Sequence, residues 1–257
     1  MFSGTYVRNV ARRWVLPFVN PKQLVSLVYL PKFVLDLRRY RGMAGADVVR
    51  LADAYPCLAD RLQQTPFDPH YFFQGAWLAR RLAQSRPAQH VDIGSSVMLI
   101  SVVSAHVPIV FVDYRPLRIN LPGIQSVGGD LLRLPFADSS LASVSSLHVI
   151  EHVGLGRYGD ALNPAGSRLA ACELSRVLRP SGHLFVSVPV GRERVCFNAH
   201  RVLAPTTVVS HFESLELSAF SLVDDAGRFR ANVSFDGIED LDYGCGMFEF
   251  VRPAAQR

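Results

Sequence analysis

Three aspartates in the middle of the sequence follow short apolar runs, and their spacing suggests a ligand site. They are Asp92, Asp113 and Asp130. Asp113 comes about 20 residues after Asp92, the spacing at which a carboxylate in a nucleotide-binding fold accepts hydrogen bonds from a ribose diol. Asp130, with Leu131 beside it, is suitably placed to accept a hydrogen bond from an adenine amine. Each acid alone is as easily a loop residue or a helix cap, but the ordered set predicts an adenosine-containing ligand.

The turn after the first aspartate is built from small residues. Gly94 permits a tight turn, and Ser95 and Ser96 allow the backbone to approach a ligand closely. Tyr114, which follows the second aspartate, is expected to line the same site. A dehydrogenase that binds NAD would carry G-x-G-x-x-G at this turn. Gly94 stands alone there, which argues against that class.

A histidine–glutamate–histidine cluster follows the predicted fourth strand. His148, Glu151 and His152 formally match H-x-x-E-H, a zinc-protease pattern. That chemistry needs both histidines on one helical turn, whereas His148 ends a predicted strand, so we expect no metal site. We predict instead that His152, with His148 nearby, removes a proton from an oxygen or nitrogen acceptor, because imidazole titrates near neutral pH. The alternative is that His152 and Glu151 only fix the loop.

The next loop is rich in glycine and is predicted to meet the substrate, together with Glu151. Its Arg157 could bind a phosphate or carboxylate, with Tyr158 and Asp160 beside it. The alternative is that Arg157 and Asp160 only pair with each other. Further candidates for the substrate site, or else members of a solvated loop, are His200 and Arg201.

Alternating strand and helix patterns are expected to position these residues. Asp68 caps a helix over 69–85, and further helices are predicted over 97–104 and 169–178. Strands are predicted over 90–93, 109–112, 124–127, 141–149, 183–190, 215–223 and 246–251. This order predicts a doubly wound, mostly parallel α/β sheet, in which ligands bind beyond the carboxyl ends of the strands.

Two stretches resemble class I methyltransferases that use S-adenosylmethionine (SAM). They are GDLLRLPFADSSLASVSSLHVIEHVGLG and ACELSRVLRPSGHLFVSVPVG, within a resemblance that spans His90 to Val190. More narrowly, EHVGLGRYGDALNP, followed later by FNAHRV, resembles the uncharacterised family DUF268. The resemblance implies a Rossmann-like fold with SAM as the cofactor. It also implies an acceptor of unknown identity, such as a glycan, a lipid-linked sugar or a small metabolite, or else a methyltransferase-fold protein that binds without catalysis.

The resemblance places His148 at the end of the fourth strand, near the meeting point of cofactor and acceptor. The family's glycine run is reduced here to Asp-Ile-Gly-Ser-Ser-Val-Met, so Met98 is expected to crowd the cofactor space. The cofactor-binding positions that match the family are Asp92, Gly94, Asp113, Asp130 and Leu131.

Composition fits one α/β domain, residues 67–257, with a basic, helical N-terminal extension, residues 1–66. Hydrophobic residues make up 49% of the 257 and charged residues 19%, enough for a buried core. The four cysteines include no C-x-x-C pair, so neither a disulfide framework nor a structural zinc site is indicated. We expect reduced thiols in a cytoplasmic protein.

The net charge of +5 is concentrated in the first 42 residues, which hold eight basic residues and one acid, Asp36. The remainder is slightly acidic, so no nucleic-acid partner is expected. Prolines and lysines interrupt the apolar run 14–35, which is too broken for a membrane span or a secretory signal. The basic segment either lies on an anionic membrane surface or packs on the domain.

Overall fold

The computed structural model describes residues 25–254 of the chain. The chain divides into two compact units, residues 1–67 and 68–257. Residues 1–24 of the predicted basic extension lie outside the described residues, and so do the last three residues of the chain.

The first unit contains one described α-helix, α1 (Leu30–Arg41), which directly follows a 3-10 turn. Pro31 stands at the start of α1, where its missing N–H costs nothing. The three arginines in the last turn interact favourably with the negative end of the helix dipole. No residue of α1 is buried. Within residues 25–254, no helix is long and apolar enough to cross a membrane.

The second unit contains the sheet and its helices. The helices are α2 (Pro69–Ser85), α3 (Val97–Val103), α4 (Gly166–Val177) and α5 (Pro205–His211). The strands are β1 (His90–Ile93), β2 (Ile109–Asp113), β3 (Ile124–Gly128), β4 (Leu141–Leu147), β5 (Leu178–Val190), β6 (Arg194–Cys196), β7 (His200–Val202), β8 (Glu216–Val223), β9 (Phe229–Arg230) and β10 (Gly244–Val251).

Eight of these strands form one sheet in the order β3-β2-β1-β4-β5-β10-β8-β9. The pairs among β3, β2, β1, β4 and β5 are parallel, while β10 runs antiparallel to both of its neighbours. The predicted doubly wound, mostly parallel sheet is therefore confirmed. The sequence reasoning missed the β6–β7 hairpin, α5 and β9, and it began β5 five residues too late.

Apolar residues on the two faces of the sheet form two cores. On one face, α2 and α3 pack through Trp77, Leu78 and Ile100 against side chains such as Phe111 of β2. On the other face, α4 and α5 pack against alternate residues of the same strands. Alternation along β2 sends Val110 to one core and Phe111 to the other, which is how a strand covered on both faces must be built.

The predicted start of α2 is confirmed by its cap. Oδ1 of Asp68 accepts hydrogen bonds from the backbone N–H groups of His70 (2.9 Å) and Tyr71 (3.3 Å). Pro69 occupies the first helical position. The cap fixes the first turn of α2 and hence the place of the His70 ring.

Candidate functional site

A cleft opens at the carboxyl ends of the parallel strands, where the strand order reverses between β1 and β4. Its walls bring together most of the predicted site residues. One side, called here the glycine wall, consists of Gly94, Asp113, Tyr114, Asp130 and Leu131. The other, called here the histidine wall, contains His148, His152, Tyr158 and Asp160.

The two aspartates of the glycine wall are oriented by the backbone. Oδ1 of Asp113 accepts a hydrogen bond from the N–H of Arg115 at 2.7 Å. Oδ1 of Asp130 accepts one from the N–H of Leu132 at 2.8 Å. Neither Oδ2 atom has a hydrogen-bonding partner among residues 25–254. Each carboxylate is thus held in place with one oxygen left for a ligand.

Gly94 keeps the floor of the cleft open. Its φ of +69° lies in the left-handed region that favours glycine. A Cβ built there would lie 3.1 Å from Cγ1 of Val149 and 3.8 Å from Oδ2 of Asp113. The prediction that Met98 crowds this space is wrong: its side chain is 73% exposed on α3 and lies outside the cleft lining.

Asp92 and Ser95 do not line the cleft, because both are buried beneath the glycine turn. Asp92 accepts hydrogen bonds from the Ser95 N–H at 3.1 Å and from the Ser145 hydroxyl. Burial raises the pKa of Asp92 to about 6, although these hydrogen bonds act to lower it. Ser96 precedes α3 as its half-buried N-cap residue, without a side-chain capping bond. These residues shape the turn.

The network beneath the turn extends to a buried histidine. Ring atoms Nδ1 and Nε2 of His90 lie 2.7 and 2.8 Å from the hydroxyls of Ser143 and Ser145. Because Ser145 donates its proton to Asp92, its oxygen is free to accept from Nε2 of His90, which leaves Nδ1 to accept from Ser143. Burial lowers the pKa of His90 to about 3, so the ring is neutral.

A buried carboxylate links the two histidines of the histidine wall. Oε1 of Glu151 lies 2.9 Å from Nδ1 of His148 and 3.6 Å from Nε2 of His152. Burial opposes protonation of His148, but Cys245 and Glu151 together raise its pKa well above the ordinary value. His148 also has a positive φ of 54°, an uncommon conformation that often marks functional positions.

His152 is held by a backbone carbonyl. Its Nδ1 lies 2.6 Å from the carbonyl oxygen of Ala199, to which it donates, so Nε2 carries the lone pair. Burial lowers the pKa of His152, despite the opposing effect of Glu151, and the ring is therefore neutral near pH 7.

The glycine-rich loop is fixed by Asp160 rather than by an ion pair. Its carboxylate accepts hydrogen bonds from three backbone N–H groups, at 2.8, 3.3 and 3.2 Å, which lower its pKa against the effect of burial. Arg157 instead donates to the carbonyl of Ala199 at 3.1 Å. Tyr158 lies between two guanidinium groups, with Cζ of Arg115 at 4.8 Å and Cζ of Arg157 at 5.2 Å from its ring centre.

His200 and Arg201 lie outside the residues that line the cleft. Arg201 is 7% exposed and donates to backbone carbonyls, including those of Glu151 (3.2 Å) and Val153 (2.7 Å), and to the hydroxyl of Ser167 (3.0 Å). The structure thus gives Arg201 a role in holding the histidine wall. His200 is half-buried, and its ring centre lies 6.5 Å from that of His152.

Sequence reasoning missed two cleft residues and two residues that lie beside His148. Arg115 and Val149 are immediate neighbours of predicted residues, and proximity to a strand end is a signal that could have identified them. His70 and Cys245, whose side chains lie beside His148, come from distant parts of the chain. No local pattern marks them.

Comparison with known proteins starts from the sequence. Residues 136–230 match the model of a family described as Caenorhabditis protein of unknown function, DUF268. The resemblance to DUF268 is confirmed. This DUF268 match contains β4, the whole histidine wall and the β6–β7 hairpin. No curated protein gives a significant sequence match.

Solved structures match the fold of this chain at low sequence identity. YcgJ from Bacillus subtilis has 11% identity and a TM-score of 0.51, with 72% of this chain and 100% of that chain covered. A protein proposed to be a sarcosine dimethylglycine methyltransferase, from Galdieria sulphuraria, has 14% identity and a TM-score of 0.51, covering 71% and 86%. The cyclase SpnF gives 14% identity and 0.51, covering 70% and 81%. These likenesses show the Rossmann-like methyltransferase fold.

Proposed function

We propose that this protein is a SAM-dependent methyltransferase that acts on an oxygen or nitrogen acceptor. The observation that carries the proposal is the cleft, which unites Gly94, Asp113 and Asp130 from three successive loops and faces them with the neutral His152. The fold likeness supports it, although a fold alone does not determine a reaction.

The glycine wall fits the adenosine part of SAM. Asp113 would hold the ribose hydroxyls and Asp130 the adenine amine, each through the Oδ2 atom that has no partner within residues 25–254. Gly94 would let the ligand lie against the backbone. When bound, SAM supplies an electrophilic methyl group, so the protein's main task is to align the acceptor, an effect worth up to about 7–11 kcal/mol.

His152 would remove the proton from the acceptor. Its Nε2 can take that proton while Nδ1 stays bonded to the carbonyl of Ala199. Oε1 of Glu151, at 3.6 Å from Nε2, would stabilise the imidazolium that forms. Tyr158 and Asp160 would border the acceptor, which could be a glycan, a lipid-linked sugar or a small metabolite.

Titration calorimetry with SAM tests the cofactor assignment. We expect measurable binding that Asp113→Ala weakens at least about tenfold, because a charge-assisted hydrogen bond contributes about 1.5–3 kcal/mol. Asp236→Ala is the control, since within residues 25–254 that exposed carboxylate bonds only the hydroxyl of Ser234. Absence of binding would favour the alternative, a methyltransferase-fold protein that acts as a binding or scaffolding partner.

Methyl transfer from labelled SAM to cell extract tests His152. Loss of a general base lowers turnover about 10²–10⁴-fold, so His152→Gln should lose turnover while its affinity for SAM stays near that of the wild type. Equal turnover in the two proteins would remove His152 from the mechanism.

We also propose that the basic extension contacts an anionic membrane surface. Leu30, Val34 and Leu35 of α1 are exposed, and arginines follow in its last turn. Replacing Arg38, Arg39 and Arg41 with glutamine should weaken binding to phosphatidylserine vesicles by about 1 kcal/mol per charge. Unchanged partitioning would contradict this proposal.

A further inference from the structure

A second group of ligating side chains lies beside the histidine wall. His70 is in the first turn of α2, His148 directly follows β4, and Cys245 is in β10. One ligand atom from each lies within 4.8 Å of the other two. Because β10 runs antiparallel to β5, its first residues lie level with the carboxyl end of β4. This places Cys245 next to His148.

We propose that His70, His148 and Cys245 bind a zinc ion. Two imidazole nitrogens and one thiolate are donors that suit this borderline-soft metal. Zinc–ligand distances of about 2.0–2.3 Å would place the ligand atoms of a tetrahedral site about 3.3–3.8 Å apart. The cluster therefore needs to contract by about 1 Å. This ligand set differs from the H-x-x-E-H pattern, because His152 is not part of it.

The hydrogen bonds of His148 are those of a metal-bound histidine. Nδ1 is 2.9 Å from Oε1 of Glu151, and a carboxylate on the outer ring nitrogen is the usual partner of a zinc-ligating imidazole. The other nitrogen, Nε2, is buried without an oxygen or nitrogen partner among residues 25–254, and the Cys245 thiol also interacts with this ring. The side chain is only 6% exposed. One nitrogen is thus oriented, and the other is left for a ligand.

A buried carboxylate oxygen beside the cluster also favours a cation at this place. Oε2 of Glu151 is buried and has no hydrogen-bonding partner within the described part of the chain. A zinc ion with one thiolate would carry a net single positive charge, which Glu151 would balance. The rings of Tyr71 and Tyr243 stack on His148 (5.6 Å) and His70 (5.2 Å).

Three protein ligands leave one position of a tetrahedral ion for water or a small ligand, as in catalytic rather than structural zinc sites. His148 also lines the cleft, so that position would lie near the proposed acceptor side. The zinc proposal itself does not depend on SAM binding.

Cobalt titration of the metal-free, full-length protein tests the proposal, because Co²⁺ reports a thiolate ligand through a charge-transfer band in the near ultraviolet. We expect one Co²⁺ per chain, the thiolate band, and displacement by Zn²⁺. Cys245→Ser should abolish the band. Glu151→Gln should weaken Zn²⁺ binding about 10–100-fold, the effect of losing an outer-shell partner.

Matched variants separate this site from other thiols and histidines. The combined replacement of Cys57, Cys172 and Cys196 by serine leaves Cys245 as the single thiol and should keep the band. His70→Gln changes a half-buried ring at the start of a helix and should weaken binding at least as much as Glu151→Gln, whereas His106→Gln, at an exposed turn, should not.

The results that overturn the proposal are equally defined. They are absence of stoichiometric Co²⁺ binding, a thiolate band that survives in folded Cys245→Ser, or unchanged affinity in His70→Gln. If Cys245→Ser fails to fold, His70→Gln alone decides. Calorimetry with SAM on metal-free protein is read separately, so failure of one proposal leaves the other standing.

Discussion

The two walls of the cleft differ in what holds them. The glycine wall consists of short loops, each directly after a strand, and its aspartates are oriented by neighbouring backbone N–H groups. The histidine wall is a longer loop held locally by Asp160 and also from a distant segment, with Arg201 donating to its carbonyls and the backbone carbonyl of Ala199 accepting from His152. One wall depends on local backbone geometry, and the other also needs buried polar contacts between distant parts of the chain.

Because of this difference, the glycine wall suits placement of a ligand and the histidine wall suits chemistry. The glycine wall presents two carboxylate oxygens that have no partner in the described part of the chain over a fixed turn, which suits recognition of a constant ligand. The histidine wall couples His148, Glu151 and His152 through one buried carboxylate, so any change in charge there affects all three. Substitutions in the supports of each wall should therefore have different consequences.

The largest effect is expected at the support of the histidine wall. Arg201→Met should lower the free energy of unfolding by about 3–5 kcal/mol, because it leaves several buried carbonyl groups without a donor. Equilibrium urea denaturation measures this loss. Arg192→Met, at a side chain that is 75% exposed, should change stability by less than about 0.5 kcal/mol. Equal losses would contradict the assigned role of Arg201.

The buried network of His90 beneath the glycine turn should make the free energy of unfolding depend on pH. The pKa of His90 is about 3 in the folded protein and 6.5 when unperturbed, so between these values the unfolded state binds the extra proton. Acidification from pH 6.5 to 3 therefore destabilises the fold by about 1.4 kcal/mol per pH unit through this group. His90→Gln should remove that slope.

Urea denaturation across this range compares the two proteins. The raised pKa of Asp92 acts in the opposite direction, since the folded state holds the proton up to about pH 6, and Asp92 is present in both proteins. A difference in stability that stays constant with pH would show that His90 titrates normally.

The smallest expected effect is at the turn itself. Gly94→Ala should cost about 1–2 kcal/mol of stability, the strain of a left-handed alanine. Gly237→Ala, with a similar φ of +71° and open space around it, should cost about the same. Only Gly94→Ala should also weaken SAM binding, because its Cβ enters the cleft. Calorimetry that shows equal SAM affinity for both variants would remove the close-approach argument.

Much of the glycine wall could be predicted from the sequence, because its determinants are local. The apolar runs gave the positions of β1, β2 and β3, and the spacing of the aspartates gave the loops that meet. Asp92 was misplaced because a carboxylate at a strand end can turn inward as easily as outward. Its inward direction is held by the N–H of Ser95 and by the hydroxyl of Ser145, which lies on another strand.

The histidine wall was predicted less completely, because long-range contacts decide it. The cluster itself was recognised, but Arg201 was expected to meet substrate and instead bonds backbone carbonyls. The β6–β7 hairpin that carries it is too short for a periodic pattern. Cys245 could be connected to His148 only by knowing that β10 lies antiparallel beside β5.

The position of β10 also constrains the order in which the sheet can be completed. β8 precedes β10 along the chain, yet β10 separates β8 from β5. A nascent chain that has emerged only as far as β8 therefore lacks the strand that joins the two, and it leaves unpaired backbone edges that can associate with other chains. Insertion of β10 closes both edges at once, so protection from aggregation should come late and in one step during synthesis.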